Sequence, residues 1–348
     1  MEYVQLGKSG LKVSKVILGT MSFGDPSKAM GWTIPEAEAL PVLKRAFDLG
    51  INTWDTADVY SIGGSERIVG KALREYNIPR ERVVILTKCF SGLPENIDEL
   101  GDMERFMQMS VNDGVMVNRV GLSRKHIFDA VDASIARLGT YIDVLQIHRL
   151  DRETPREEIM KALNDVVESG KVRYIGACTM AAWEFQSLQN IAKKNGWHQF
   201  ISMQDYYSLL YRENERELIP YCRDAGVGII PYSPLARGLL TRPYNSEPTT
   251  RQKTDQFSEF ILGETTSADI EIIKRVEELA QRKGVNMVTI ALAWCVARGV
   301  IPIVGIASID RVNQTVESFK LGKAGLLEKE DIEFLEEKYV AKPLIAAG

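Results

Sequence analysis

The sequence predicts a closed parallel (β/α)8 barrel, and three observations carry that prediction. Eight short apolar runs rich in β-branched residues alternate with amphipathic stretches of helical length, the pattern of successive βαβ units. Several of those helical stretches end on glycine, as helix C-termini do. No GxGxxG turn follows any of the eight runs, so the signature of a doubly wound open sheet is missing.

Taken in order, YVQLGKSGLKVS makes two short alternating runs around Gly7 to Gly10, a β-hairpin expected to act as a lid on the scaffold. The predicted barrel strands are VILGT ending at Thr20, NTWDT around Asp55, VVILTK ending at Lys88 and IDVLQIH ending at His148. KVRYIGA to Ala177, FISMQ to Gln204, GVGIIPY to Tyr232 and VIPIVG to Gly305 complete the set. Helical patterns lie between them, among them EALPVLKRAFDLG, SERIVGKALREY, RKHIFDAVDASIARLG and PREEIMKALNDVVESG. Gly63 and Gly64 are read as shaping the turn into the second of these.

Two segments break the rhythm, from Phe90 to Leu122 after the third strand and from Thr241 to Ser267 after the seventh. Both fall at strand C-terminal ends, where barrel enzymes build their sites. The first concentrates Met103, Met107, Met109 and Met116, either a small helix packed on the barrel or a malleable wall for a bulky apolar substrate. Trp32 and Phe23, near the first strand end, would line the same pocket or pack its rim. With no linker and no low-complexity tract, residues 1–348 are expected to form one domain.

Composition narrows the class of partner. At 45% hydrophobic and 26% charged residues the chain can bury a sizeable core, and a net charge of −4 gives nucleic acid or an anionic membrane no electrostatic foothold. Cys89, Cys178, Cys222 and Cys295 are scattered and form no CxxC pair, which suggests neither a disulfide framework nor a metal site. The opening MEYVQLGKSGLKVSK lacks an apolar signal core, and no run approaches the roughly 18 apolar residues of a membrane span. A cytoplasmic protein acting on a small molecule is expected.

The titratable residues cluster at the predicted strand ends. Asp55 closes the second strand, Tyr60 follows it, Lys88 closes the third and His148 the fourth, so the four should meet at one rim of a parallel barrel. A free phenol, with a pKa of about 10, is a poor acid at neutral pH, but a lysine cation favours the phenolate and would lower that value. Asp55 would keep Lys88 charged and oriented, and His148 would hydrogen-bond a carbonyl oxygen. Such a site polarises a carbonyl but supplies no electrons, so it needs a hydride donor, for which a nicotinamide is the natural candidate.

The segments WDTADVYSIGGSERIVGKAL, VVILTKCF, IDVLQIHRLD, KVRYIGACTM, SMQDYYSLLYRENEREL, IIPYSPLARGLLTRP and IPIVGIAS together resemble the aldo-keto reductases, in the fungal and bacterial branch related to aryl-alcohol dehydrogenases and potassium-channel β subunits. The resemblance covers nearly the whole chain and implies a cofactor of NADPH or NADP+ and a carbonyl substrate such as an aromatic aldehyde or a polyketide. By that resemblance Asp55, Tyr60, Lys88 and His148 match the catalytic tetrad, with Tyr60 as general acid. Gln204 matches a glutamine that bonds the nicotinamide carboxamide, and Tyr232 an aromatic residue stacked on the nicotinamide ring. Ser233, Leu235, Arg237 and Gly238 fall in the loop that embraces the pyrophosphate, and Ser308 and Arg311 where the adenosine 2′-phosphate is held. Thr20, Met21, Asp55 and Gln314 complete the implied cofactor contacts. Two departures stand out: Cys178 and Thr179 replace a common Ser-Asn pair at the carboxamide, and Thr315 replaces an asparagine at adenine.

Two rival readings compete with a reductase. A channel-β-like subunit would use the bound cofactor as a redox sensor, but no long inactivation segment precedes the predicted barrel. A phosphate-binding isomerase barrel would want a glycine-rich loop after the seventh or eighth strand, where the seventh leads instead into YSPLARG.

Overall fold

Period-two runs of branched residues pair edge to edge only if the helical segments between them carry the chain back along the outside. A computed structural model describes residues 1–28, 30–93, 114–255, 264–323 and 325–345. The hairpin strands are β1 (Tyr3–Gln5) and β2 (Lys12–Ser14), paired antiparallel. Barrel strands follow as β3 (Ile17–Gly19), β4 (Thr53–Asp55), β5 (Val84–Cys89), β6 (Ile142–Ile147), β7 (Val172–Cys178), β8 (Phe200–Gln204), β9 (Gly228–Ile229) and β10 (Ile303–Gly305). They form one eight-stranded sheet in the order β10-β3-β4-β5-β6-β7-β8-β9. Its neighbours are all parallel. Between β9 and β10 the N–H of Ile301 donates to the carbonyl of Ile229 and that of Ile303 to the carbonyl of Pro231, both at 2.9 Å, so the sheet curls shut. The fold is the (β/α)8 barrel, with its hairpin and its long segments after β5 and β9.

Helices α1 (Glu36–Asp48), α2 (Gly64–Glu75), α3 (Arg124–Leu138), α4 (Arg156–Glu168), α5 (Ala182–Asn195) and α6 (Leu218–Ala225) surround the first half and the turn of the sheet. α7 (Thr250–Thr254), α8 (Ser267–Lys283), α9 (Met287–Ala297), α10 (Ile309–Lys323) and α11 (Lys329–Glu336) complete the described helices. Sequence chemistry explains their limits. Ser123 accepts the N–H of His126 to start α3, and Gly139, in the left-handed region, ends it.

Alternation along the strands sorts the core. Outward residues such as Leu18, Trp54, Ile85 and Leu145 pack with the helices. Inward residues Ile17, Val84, Leu86, Val144, Ile230 and Ile303 form a separate cluster with Leu6 and Val13 of the hairpin. The hairpin is therefore a lid on the scaffold, closing the N-terminal end of the barrel. Gly7 makes this closeness possible, since a Cβ there would lie 2.4 Å from the carbonyl of Gly226. Above that apolar layer the inward positions turn polar, which brings the chemistry to the C-terminal mouth. Among the described residues no helix is long and apolar enough to cross a membrane. Met103, Met107 and Met109 lie outside the described residues, and Met116 is buried.

Candidate active site

The inward parity that carries Leu86 into the core carries Lys88 to the polar layer, where it is fully buried. Its ammonium donates to Asp55 Oδ2 at 2.6 Å, to the carbonyl of Thr56 at 2.8 Å and to the Tyr60 hydroxyl at 3.2 Å. Three acceptors satisfy its three donors. The other oxygen of Asp55 accepts two amides at 2.9 Å, Gln146 Nε2 from β6 and Gln204 Nε2 from β8. His148, one residue past β6, sets its ring edge-on to Tyr60 with centroids 5.9 Å apart. The four residues expected to converge do so.

The loop that aims Tyr60 is strained. Ser61, Ile62 and Gly63 have φ of 49°, 53° and 77°, three left-handed residues in succession, of which only glycine adopts that region readily. The Ser61 hydroxyl donates to the carbonyl of Phe23 at 2.8 Å, anchoring the turn to the loop after β3. Strain of this kind persists only where surrounding structure imposes it.

Electrostatics set the protonation states. Burial works against the Lys88 charge, but the adjacent Asp55 carboxylate more than offsets it, and the ammonium is held above its ordinary value. His148 is pushed well below its usual value by burial, with Lys88 and Arg149 adding repulsion, so its imidazole is neutral. Tyr60 departs from the expectation of a lowered phenol. Burial raises its pKa, and although Lys88 pulls it down, Asp55 pushes it up again and the net direction is upward.

The remaining predicted positions line the mouth from β3 round to α10. Thr20 is fully buried and gives both its N–H and its hydroxyl to the carbonyl of Asp55, at 2.9 and 3.0 Å, while Met21 is half-buried beside it. Cys178 is a buried thiol pushed up to about 12 by its burial, and its sulfur lies 3.3 Å from the Thr179 hydroxyl. Thr179 holds a left-handed φ of 44° and hydrogen-bonds the phenol of Tyr232. Tyr232 stacks in turn on Tyr206 with centroids 5.7 Å apart. Ser233 (φ 54°) and the run Ala236, Arg237 and Gly238 (φ 46°, 51° and 104°) make the loop after β9 a second left-handed stretch, with half-buried Leu235 between them. Ser308 accepts the N–H of Arg311 at 3.3 Å, capping the first turn of α10. Arg311 is exposed, Gln314 half-buried and Thr315 buried on the same helix.

Two residues at this mouth escape sequence reasoning. Gln146 reads as an ordinary polar residue in a strand; the signal was its parity with His148. Arg251, on α7, packs its guanidinium 4.2 Å from the ring centre of Trp32 and donates to Asp255 at 3.0 Å, a carboxylate that also pairs with Arg237. Burial, and repulsion from Arg237 and Arg311 that Asp255 only partly offsets, hold Arg251 below its ordinary value. Arg237 and Arg251 thus share one carboxylate, and Arg311, in the first turn of α10, is near enough to repel Arg251, a grouping of cations that complements an anion. Arg242 instead donates to the carbonyl of Glu247 at 2.8 Å.

Known proteins are similar to this chain along nearly its whole length. It is 57% identical over 347 residues to a versiconal hemiacetal acetate reductase of Aspergillus parasiticus, covering 99% of this chain and 98% of that one. It is 51% identical over 345 residues to a putative aryl-alcohol dehydrogenase of Schizosaccharomyces pombe (98% and 97% covered) and 46% identical over 343 residues to one of Saccharomyces cerevisiae (97% of each). The sequence profile of the aldo/keto reductase family matches residues 15–339, from the start of β3 past the last helix. A barrel with polar residues converging at its mouth, matched along nearly its whole length by that profile, belongs to the aldo/keto reductase family of oxidoreductases.

Proposed function

We propose that the chain is an NADPH-dependent carbonyl reductase in which Tyr60 is the general acid, acting on an aromatic aldehyde or a polyketide-type carbonyl. The observation that carries this reading is the chain of contacts from Asp55 through Lys88 to the Tyr60 hydroxyl, at 2.6 and 3.2 Å, with a neutral imidazole edge-on to the same phenol. The cofactor, when bound, supplies the hydride. Tyr60 delivers the proton to the substrate oxygen as negative charge develops there, and Lys88 stabilises the phenolate left behind. Asp55 keeps Lys88 in place, and His148 donates from its neutral ring to the same oxygen. The raised pKa of Tyr60 keeps it protonated through neutral pH, the form reduction requires. The aromatic class is supported by the aryl-alcohol dehydrogenases among the relatives above, and the polyketide class by the family resemblance. Consumption of NADPH with a panel of aryl aldehydes and hydroxylated polycyclic ketones tests the reading; no turnover with any of them would sink it.

The residues present suit a phosphorylated dinucleotide. Gln204 has its amide oxygen left to accept from a carboxamide, Tyr232 offers a ring face, and Arg251, Arg311 and Ser308 would hold the 2′-phosphate at the start of α10. Charge-assisted hydrogen bonds contribute about 1.5 to 3 kcal/mol each, roughly tenfold to a hundredfold in affinity. Arg311→Ala and Arg251→Ala should each raise the Kd for NADPH by about tenfold or more and leave NADH almost unchanged. Equal losses for both cofactors would remove these arginines from phosphate recognition.

Thr179 is the departure most open to experiment. Its left-handed φ of 44° strains a β-branched residue but suits asparagine. An asparagine there would also present two donors and an acceptor to the carboxamide. Thr179→Asn is expected to tighten NADPH binding and to stabilise the fold by about 1 kcal/mol, read by cofactor titration and chemical denaturation. Unchanged or weaker cofactor affinity would overturn the alignment of Thr179 with the carboxamide position or its role there.

A further inference from the structure

Gln146 is fully buried and belongs to none of the groups that handle the proton. We propose that Gln146 is a positioning residue: it fixes the amide of Gln204 with its oxygen toward the cofactor carboxamide and ties that recognition to the Asp55–Lys88–Tyr60 relay. The inference rests on the reading of the chain as an NADPH-dependent reductase.

An ionised carboxylate only accepts, so both amides on Asp55 Oδ1 must present their nitrogens to it. Gln204 Nε2 has two hydrogens. One goes to Asp55 Oδ1, and the second to Gln146 Oε1, at 2.9 Å. The donors of Gln204 are then spent, and what remains is its oxygen. Turning that amide over would set its oxygen against two others, those of Asp55 and Gln146, in a site where all three residues are nearly inaccessible to water. Gln146 thus supplies the second acceptor, which together with Asp55 Oδ1 takes up both hydrogens of Gln204 Nε2 and locks the orientation of its amide.

Space has been made for it. Gly176 of β7, level with Gln146 in the register, would bring a Cβ 3.0 Å from Gln146 Cγ and 2.5 Å from Ser202 Oγ. Any larger residue there would push the Gln146 side chain off its line. On its other side Gln146 touches the proton relay: by donating to Asp55 Oδ1 it shares the carboxylate whose second oxygen holds Lys88.

Two variants of the full chain test this, with NADPH and 2′-phospho-ADP-ribose, which lacks the nicotinamide, as titrants. Gln146→Met removes donor and acceptor at similar length. It should weaken NADPH about three- to tenfold at every pH and leave the fragment unchanged. Gln146→Glu keeps the acceptor and can donate to Asp55 only as the carboxylic acid; Asp55 faces it directly, and Lys88, level with it in the register, is bonded to the same carboxylate. Its NADPH affinity should match wild type at acid pH and fall as the new carboxyl ionises against Asp55. A residue that merely fills space would not separate the two titrants or give one variant a pH dependence that the other lacks. Unchanged NADPH affinity in both variants, or equal losses for NADPH and the fragment, would overturn the assignment. Wild-type protein that binds the fragment and NADPH equally would overturn the role of Gln204, and wild type that binds neither would overturn the cofactor reading itself.

Discussion

Tyr60→Phe is expected to lower the turnover number for carbonyl reduction by about 10² to 10⁴, the range in which positioned acids contribute, while leaving the Kd for NADPH within about twofold. The substitution removes one oxygen and keeps the ring that faces His148. Lys88 retains Asp55 and the carbonyl of Thr56, so the buried ammonium stays paired and the fold should hold. The lost contact is the weakest of its three, at 3.2 Å. Single-turnover reduction with bound NADPH separates the two effects, and a rate near wild type would remove Tyr60 from proton delivery.

Lys88→Met should be as damaging to turnover and, unlike the tyrosine change, should also destabilise the fold by about 3 to 5 kcal/mol, the usual result of removing one partner of a buried ion pair. Asp55 would keep its two amides but lose the cation that makes its charge tolerable. Denaturation by urea reads the deficit. The double variant Asp55→Asn with Lys88→Met should recover part of the stability and none of the activity. A double variant no more stable than Lys88→Met alone would mean that Asp55 is not the group left exposed to the loss.

Much of this was legible from residues alone. Strand ends at Asp55, Lys88 and Gln204 could be placed because branched runs, glycine-closed helices and parallel topology are local signals that agree with one another. The convergence of Asp55, Lys88, Tyr60 and His148 followed from topology, since neighbouring parallel strands must end at one rim. What stayed hidden depends on distance or burial. Gln146 acquires its meaning only beside Gln204, 58 positions away in the chain. Arg251 lies on a short helix within an irregular segment, and its proximity to Trp32 joins loops that leave opposite parts of the sequence. The direction of the Tyr60 shift was misjudged because the sequence shows the lysine but not the depth at which the phenol is held. A left-handed Ile62 runs against the preferences of its side chain, so no propensity argument could have found it.

The barrel's closing joint differs from its other strand pairs. β9 is two residues long, and it meets β10 through isolated bonds instead of a continuous ladder. The segments that run on from these two strands carry Tyr232 to Gly238 on one side and Ser308 to Thr315 on the other. A dinucleotide bound by both would act as a clasp across the seam, so that holding the cofactor and holding the cylinder shut become one equilibrium. At a hundredfold excess over its Kd such a ligand adds about 2.7 kcal/mol to the folded state. Cofactor supply would then govern how long the protein survives as well as how fast it works.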